Sequence, residues 1–114
     1  MSQAQNLPLL SKMLVQFRDA RDWGQFHTAE NLAKSIAIEA GELLECFQWS
    51  DDADLERVED ELADVAAYLI LLSDRLGIDL GVAIAKKVRR NEKRFPADKW
   101  KGRASMRDGS QRDG

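Results

Sequence analysis

Two short acidic words constrain this chain more than any other feature. Glu39-Ala40-Gly41-Glu42 is followed, after 18 intervening residues, by Glu61-Leu62-Ala63-Asp64. Each word sets two carboxylates three residues apart, a spacing that puts both on one face of an α-helix. Ser50-Asp51-Asp52-Ala53-Asp54 lies between them and has the composition of a turn. The pattern predicts an antiparallel helical hairpin in which four carboxylates converge. Like charges do not gather in a half-buried place without a cation to neutralise them. An all-oxygen donor set selects hard cations, Mg²⁺ first and Mn²⁺ second.

The rest of the chain reads as helices around that hairpin. Pro8 suits a first helical turn, and Leu10, Met13, Leu14 and Phe17 recur at helical spacing. Gly24 is the expected stop of this first helix, near Trp23. Phe26-His27 is a link, and Thr28 is a candidate N-cap for the second helix. There Leu32, Ile36, Glu39, Leu43 and Phe47 form one stripe, so Glu39 stands where an apolar residue belongs. Gly41 costs about 1 kcal/mol in mid-helix relative to Ala, which suggests close approach by another backbone or a ligand.

Asp52 or Asp54 can cap the third helix. Its Leu55, Val58, Leu62, Val65, Leu69, Leu72 and Leu76 make a seven-residue repeat suited to helix packing. From Val65 to Leu72 that helix is apolar on all sides, more than a small bundle can enclose, so a second subunit is expected to cover the excess. Gly77 ends it, Asp79 caps a fourth helix, and Phe95-Pro96 stops that one. The expectation is an all-α, four-helix bundle with its active site between helices 2, 3 and 4, completed by oligomerisation. Residues 1–101 form the domain, and residues 102–114 form a flexible polar tail.

Composition supports this reading. The chain has 114 residues, two prolines and one cysteine, Cys46, so no intrachain disulfide forms and a reducing, cytoplasmic setting is expected. No apolar run is long enough to span a bilayer. The net charge of −3 hides an asymmetry: residues 30–64 carry 12 acidic and 2 basic side chains, whereas residues 86–103 carry 9 basic and 2 acidic. An acidic centre beside a basic strip suits a metal-bound polyphosphate. It suits long nucleic acid poorly, because the acidic half repels phosphate, and no stable nucleic-acid binding is expected. A di-iron bundle wants Glu-x-x-His pairs, and the one histidine, His27, lies outside both acidic words. Phosphate-cradling glycine loops, zinc spacings and nucleophilic triads are missing as well.

The two acidic words resemble those of the all-α, MazG-like nucleoside triphosphate pyrophosphohydrolases. Asp22-Trp23-Gly24-Gln25-Phe26-His27, Phe47-Gln48-Trp49 and the run Lys87 to Pro96 are similar to the dCTP pyrophosphatase branch. The resemblance covers about Leu10 to Trp100. It implies Mg²⁺-dependent cleavage of a (deoxy)nucleoside triphosphate, with a dCTP-like pyrimidine preferred, to monophosphate and pyrophosphate, and a role in nucleotide-pool housecleaning. By the same resemblance Glu39, Glu42, Glu61 and Asp64 hold metal and serve catalysis. Lys87, Asn91 and Arg94 contact phosphate, joined by Tyr68 one turn beyond Asp64. Trp23 and Trp49, with Phe26 and His27, form the base site, where stacking contributes about 1–3 kcal/mol per base. Dimers or tetramers are implied. Phe95 departs from the branch's usual Tyr, and the hairpin link is short. The rival reading is a non-catalytic helical oligomer, an adaptor or nucleotide sensor, for which the leucine seam alone would suffice.

Overall fold

The computed structural model describes residues 6–49 and 52–103. Every regular element among them is helical: α1 (Leu7–Ala20), a 3₁₀ turn (Trp23–Phe26), α2 (Ala29–Gln48), α3 (Leu55–Leu76), α4 (Leu80–Arg94) and a short α5 (Ala97–Trp100). The chain divides into two compact units, one up to Leu80 and one from Gly81 onward.

In the first unit, side-chain caps set the helix starts. Asn6 Oδ1 accepts from the Leu9 N–H at 3.0 Å, and Pro8 sits in the first turn, where its missing N–H loses nothing. Thr28 Oγ1 accepts from the Asn31 N–H at 3.1 Å, as its position before α2 predicts. Asp54 Oδ1 accepts from the Glu56 N–H at 3.1 Å and starts α3. Ser50 and Asp51 of the connecting turn lie outside the described residues.

The end of α1 differs from expectation. The helix stops at Ala20, not at Gly24. Asp22 takes the left-handed conformation (φ 54°), which short polar side chains tolerate best after glycine. Gln25 Nε2 donates to both the Asp22 carbonyl (3.0 Å) and Asp22 Oδ2 (3.2 Å), which closes the turn that carries Trp23 and His27.

The α2–α3 hairpin is the most extensive packing in the unit, and α1 lies against α3. Leu32, at 1 % exposure, is the most deeply buried large side chain, and Cys46, Ile70 and Leu71 complete the buried apolar set. On α2 the inward stripe ends at Cys46, while Phe47 is exposed. Successive steps of four and three residues from Leu32 reach 36, 39, 43 and 46, which tracks the 3.6-residue turn better than a last step of four. On α3 the buried side chains are Ile70 and Leu71, beside the leucine seam. Leu55, Leu62, Leu69 and Leu76 of that seam are exposed, so four of its seven side chains are unpacked within the chain.

Gly77 (φ 70°) ends α3 as expected, with the Ile78 N–H donating to the Ser73 carbonyl at 2.9 Å. Gly41 does not mark a close approach within this chain: a Cβ built there meets nothing within 4 Å.

In the second unit α4 closes with the Phe95 N–H donating to the Asn91 carbonyl at 2.7 Å, and Pro96 then breaks the helix. The short α5 was not legible from the pattern. It places Trp100 edge-on against Phe95, with ring centroids 4.8 Å apart. Of the predicted tail, only Gly102 and Arg103 lie within the described residues.

The two glycines are expected to respond oppositely to alanine. Gly41→Ala gains helix propensity in open space and should raise unfolding free energy by about 0.5–1 kcal/mol, whereas Gly77→Ala forces a Cβ into the left-handed region and should lower it by about 1–2 kcal/mol. Urea unfolding followed by circular dichroism distinguishes the two.

Candidate active site

The acidic words meet. Glu39 on α2 and Glu61 and Asp64 on α3 each offer a carboxylate oxygen, and these oxygens all lie within 4.8 Å of one another. Glu39 and Glu61 are half-buried and Asp64 is exposed at the rim. Glu42, one turn along α2 from Glu39, stands beside this trio rather than within it, yet its charge acts on both buried members.

The electrostatics are those of a crowded, incompletely neutralised cluster. Hydrogen bonding with the Glu42 carboxyl, then burial, then the charges of Glu42, Asp64 and Glu61 raise Glu39 from its ordinary 4.5 to about 7. Glu61 is also raised, first by burial and then by the Glu42 charge, with Glu39 and Arg57 working in the opposite direction. Glu39 Oε2 and Glu61 Oε2 are buried and lack a hydrogen-bond partner. Orphaned carboxylate oxygens are costly in a protein interior and are commonly satisfied by a cation. The donor set is all oxygen, so the residues fit a hard divalent ion.

Asp64 has a second neighbourhood. With Tyr68 on the same helix it lines a cavity of about 210 Å³ between α3, α1 and the 3₁₀ turn. Leu14, Phe17 and Trp23 provide an apolar and aromatic wall, and Arg18 and His27 add polar groups. Phe17 and Trp23 meet edge-to-face at 5.7 Å, and the Arg21 guanidinium stacks over Phe17 at 3.6 Å. Asp64 therefore connects the acidic cluster to an aromatic pocket.

The remaining expected site residues are placed as follows. Phe26 is 60 % exposed and Trp49, at the C-terminal cap of α2, is 85 % exposed, and neither lines this cavity. Lys87, Asn91 and Arg94 recur at helical spacing on α4 in the second unit, with the Arg94 guanidinium 4.9 Å over the Phe95 ring. Sequence reading missed Leu14, Phe17 and Arg18 as cavity residues. Arg18 falls four residues after Leu14, on the inward side of α1, and a cation at that position was the available signal.

The raised pKa values set a sign for stability. The folded chain holds the Glu39 proton more tightly than the unfolded chain does. Its stabilising contribution is complete below pH 4.5 and is lost as pH rises through about 7. Glu61 acts in the same direction. Metal-free protein should therefore melt at a lower temperature at pH 7.5 than at pH 5, and millimolar divalent cation should restore the loss at pH 7.5. Differential scanning fluorimetry with chelator and with added cation measures both effects.

Comparison with known proteins agrees with this geometry. Residues 34–106 match the MazG-like family model. The chain is 36 % identical to rat dCTP pyrophosphatase 1 over 105 residues, covering 83 % of this chain and 62 % of that protein. It is 37 % identical to the human protein of the same name over 98 residues, covering 77 % and 58 %. The chain thus spans about three fifths of the length of these relatives. The crystal structure of a pyrophosphatase from Archaeoglobus fulgidus superimposes with a TM-score of 0.72 at 39 % identity, covering 84 % of this chain and 97 % of that one. Family match, sequence identity and helical arrangement agree, and the chain belongs to the MazG-like family.

Proposed function

We propose that this protein hydrolyses (deoxy)nucleoside triphosphates to the monophosphate and pyrophosphate, prefers a dCTP-like pyrimidine, and clears unwanted nucleotides from the pool. The observation that carries this reading is the double role of Asp64. It belongs to a cation-fitting carboxylate trio and to an aromatic-lined cavity. That pairing suits a ligand with a charged, metal-bound end and a flat apolar end. The dCTP pyrophosphatases that this chain resembles, and the pyrophosphatase whose structure it matches, support the same chemistry.

In this reading Glu39, Glu61 and Asp64, with Glu42 beside them, hold Mg²⁺, or Mn²⁺ in its place. The bound ion supplies positive charge for the phosphate oxygens and acidifies water. A carboxylate of the quartet accepts the proton of the attacking water. A bond forms from water oxygen to the α-phosphorus, the bond to the bridging oxygen breaks, and pyrophosphate leaves. Lys87, Asn91 and Arg94 supply phosphate contacts suited to that leaving charge. Tyr68 approaches the sugar or α-phosphate from the cavity wall. Trp23 and His27 face the base, while Phe26 and Trp49, exposed on the single chain, join the base site on assembly.

Assembly as a dimer or tetramer is part of the proposal. Its support is the exposed row Leu55, Leu62, Leu69 and Leu76 on α3. Exposed apolar rows of this extent mark contacts between subunits. No helix among the described residues is long and apolar enough to cross a membrane. The single thiol suits action in the cytoplasm.

Three outcomes are expected. A panel of (d)NTPs with Mg²⁺ should yield pyrophosphate, with dCTP among the best substrates, and release of single phosphate instead would exclude the reaction. Glu39→Gln or Glu61→Gln should lower turnover by about 100-fold or more while an adaptor would be indifferent, since each removes a charge that the cation requires. Leu62→Glu should shift the oligomer toward monomer in light scattering.

A further inference from the structure

Arg18 is a cavity residue to which the proposed chemistry gives no task. It lies in the last turn of α1 with its side chain 17 % exposed, which is deep for a guanidinium. Nε donates to Asp19 Oδ1 at 3.0 Å. Nη1 reaches Asp74 Oδ2 at 3.5 Å, on α3 ten residues beyond Asp64. Arg18 also lies close to the 3₁₀ turn. Arg18 Nε and Cδ lie 3.5 and 3.7 Å from where a Gly24 side chain would begin. One side chain thus pairs with the helix that carries Asp64 and Tyr68 and lies beside the turn that carries Trp23 and His27. Both elements line the 210 Å³ cavity.

We infer that Arg18 is a positioning residue: paired with Asp74 on α3 and seated beside Gly24 in the cavity lining, it fixes the spacing between the Trp23 wall and the Asp64–Tyr68 wall, and so sets how tightly the base end of a nucleotide is gripped. The inference rests on the proposed reading of the cavity as the base site. A planar fork is needed for this role. Lysine keeps the charge and its interaction with the end of α1 but is a single point donor, so it cannot reach Asp19 and Asp74 with two separate nitrogens as Arg18 does. A residue serving only charge or helix-end electrostatics would be replaced by lysine without consequence. Phe17 packs edge-to-face on Trp23 from the same helix, so Arg18 adds the charged tie to α3 that the aromatic contact does not supply.

The position of Trp23 is read without catalysis. In full-length protein carrying Trp49→Phe and Trp100→Phe, Trp23 is the one remaining indole. Adding Arg18→Lys should at least double its quenching by acrylamide, and Asp74→Asn should act in the same direction. In chains that keep all three tryptophans, Arg18→Lys should raise KM for dCTP about tenfold, with kcat within twofold and the Mg²⁺ concentration for half-maximal rate unchanged. Unchanged Trp23 quenching in Arg18→Lys overturns the inference, as does a fall in kcat at constant KM. If the wild-type chain releases no pyrophosphate from any (d)NTP, the functional reading fails instead, and the Trp23 readout alone decides for Arg18.

Discussion

The mutual repulsion of carboxylates across the α2–α3 hairpin is the interaction on which the rest depends. Glu39 occupies a position in the inward stripe of α2 that packing alone would give to leucine, and Glu61 faces it from α3. Apolar burial on either side, from Leu32 near one end of α2 to Cys46 near the other, holds the two helices together despite this. Packing is conceded at the centre of the hairpin, where three carboxylates converge in an arrangement that fits a cation. The raised affinities of Glu39 and Glu61 for protons express the same tension, since a proton is the simplest cation available.

A second consequence concerns surface. The chain buries few large apolar side chains completely and leaves many exposed on every long helix. A short chain that spends part of its interior on acids has less hydrophobic burial to oppose conformational entropy. The exposed leucine row lies on α3, the helix that also carries two of the four acids.

Much of this was legible in the residues because it is local. Thr28 and Asp54 cap their helices because a short oxygen-bearing side chain before an apolar run has few other roles, and Gly77 ends α3 because the turn needs a positive φ. The acidic cluster was legible because two words at matched spacing on a hairpin have nowhere else to go. Three features were not. The end of α1 depends on Asp22 adopting a left-handed conformation that its sequence permits but does not demand. Phe47 and Cys46 exchange inside and outside because a periodic stripe drifts along a straight helix. The aromatic cavity joins Leu14, Trp23 and Tyr68 across long chain separations, and pairwise spacing cannot reveal such contacts.

Cys46 sits 8 % exposed in the hairpin, its thiol donating to the Glu42 carbonyl at 3.6 Å. That carbonyl belongs to the residue flanking the carboxylate trio. A thiol reagent reaches the sulfur only when α2 lifts from α3 or its last turns fray. The one sulfhydryl of the molecule is therefore an internal gauge of how often the hairpin breathes open, placed a single helical turn from the residue whose charge most perturbs its neighbours.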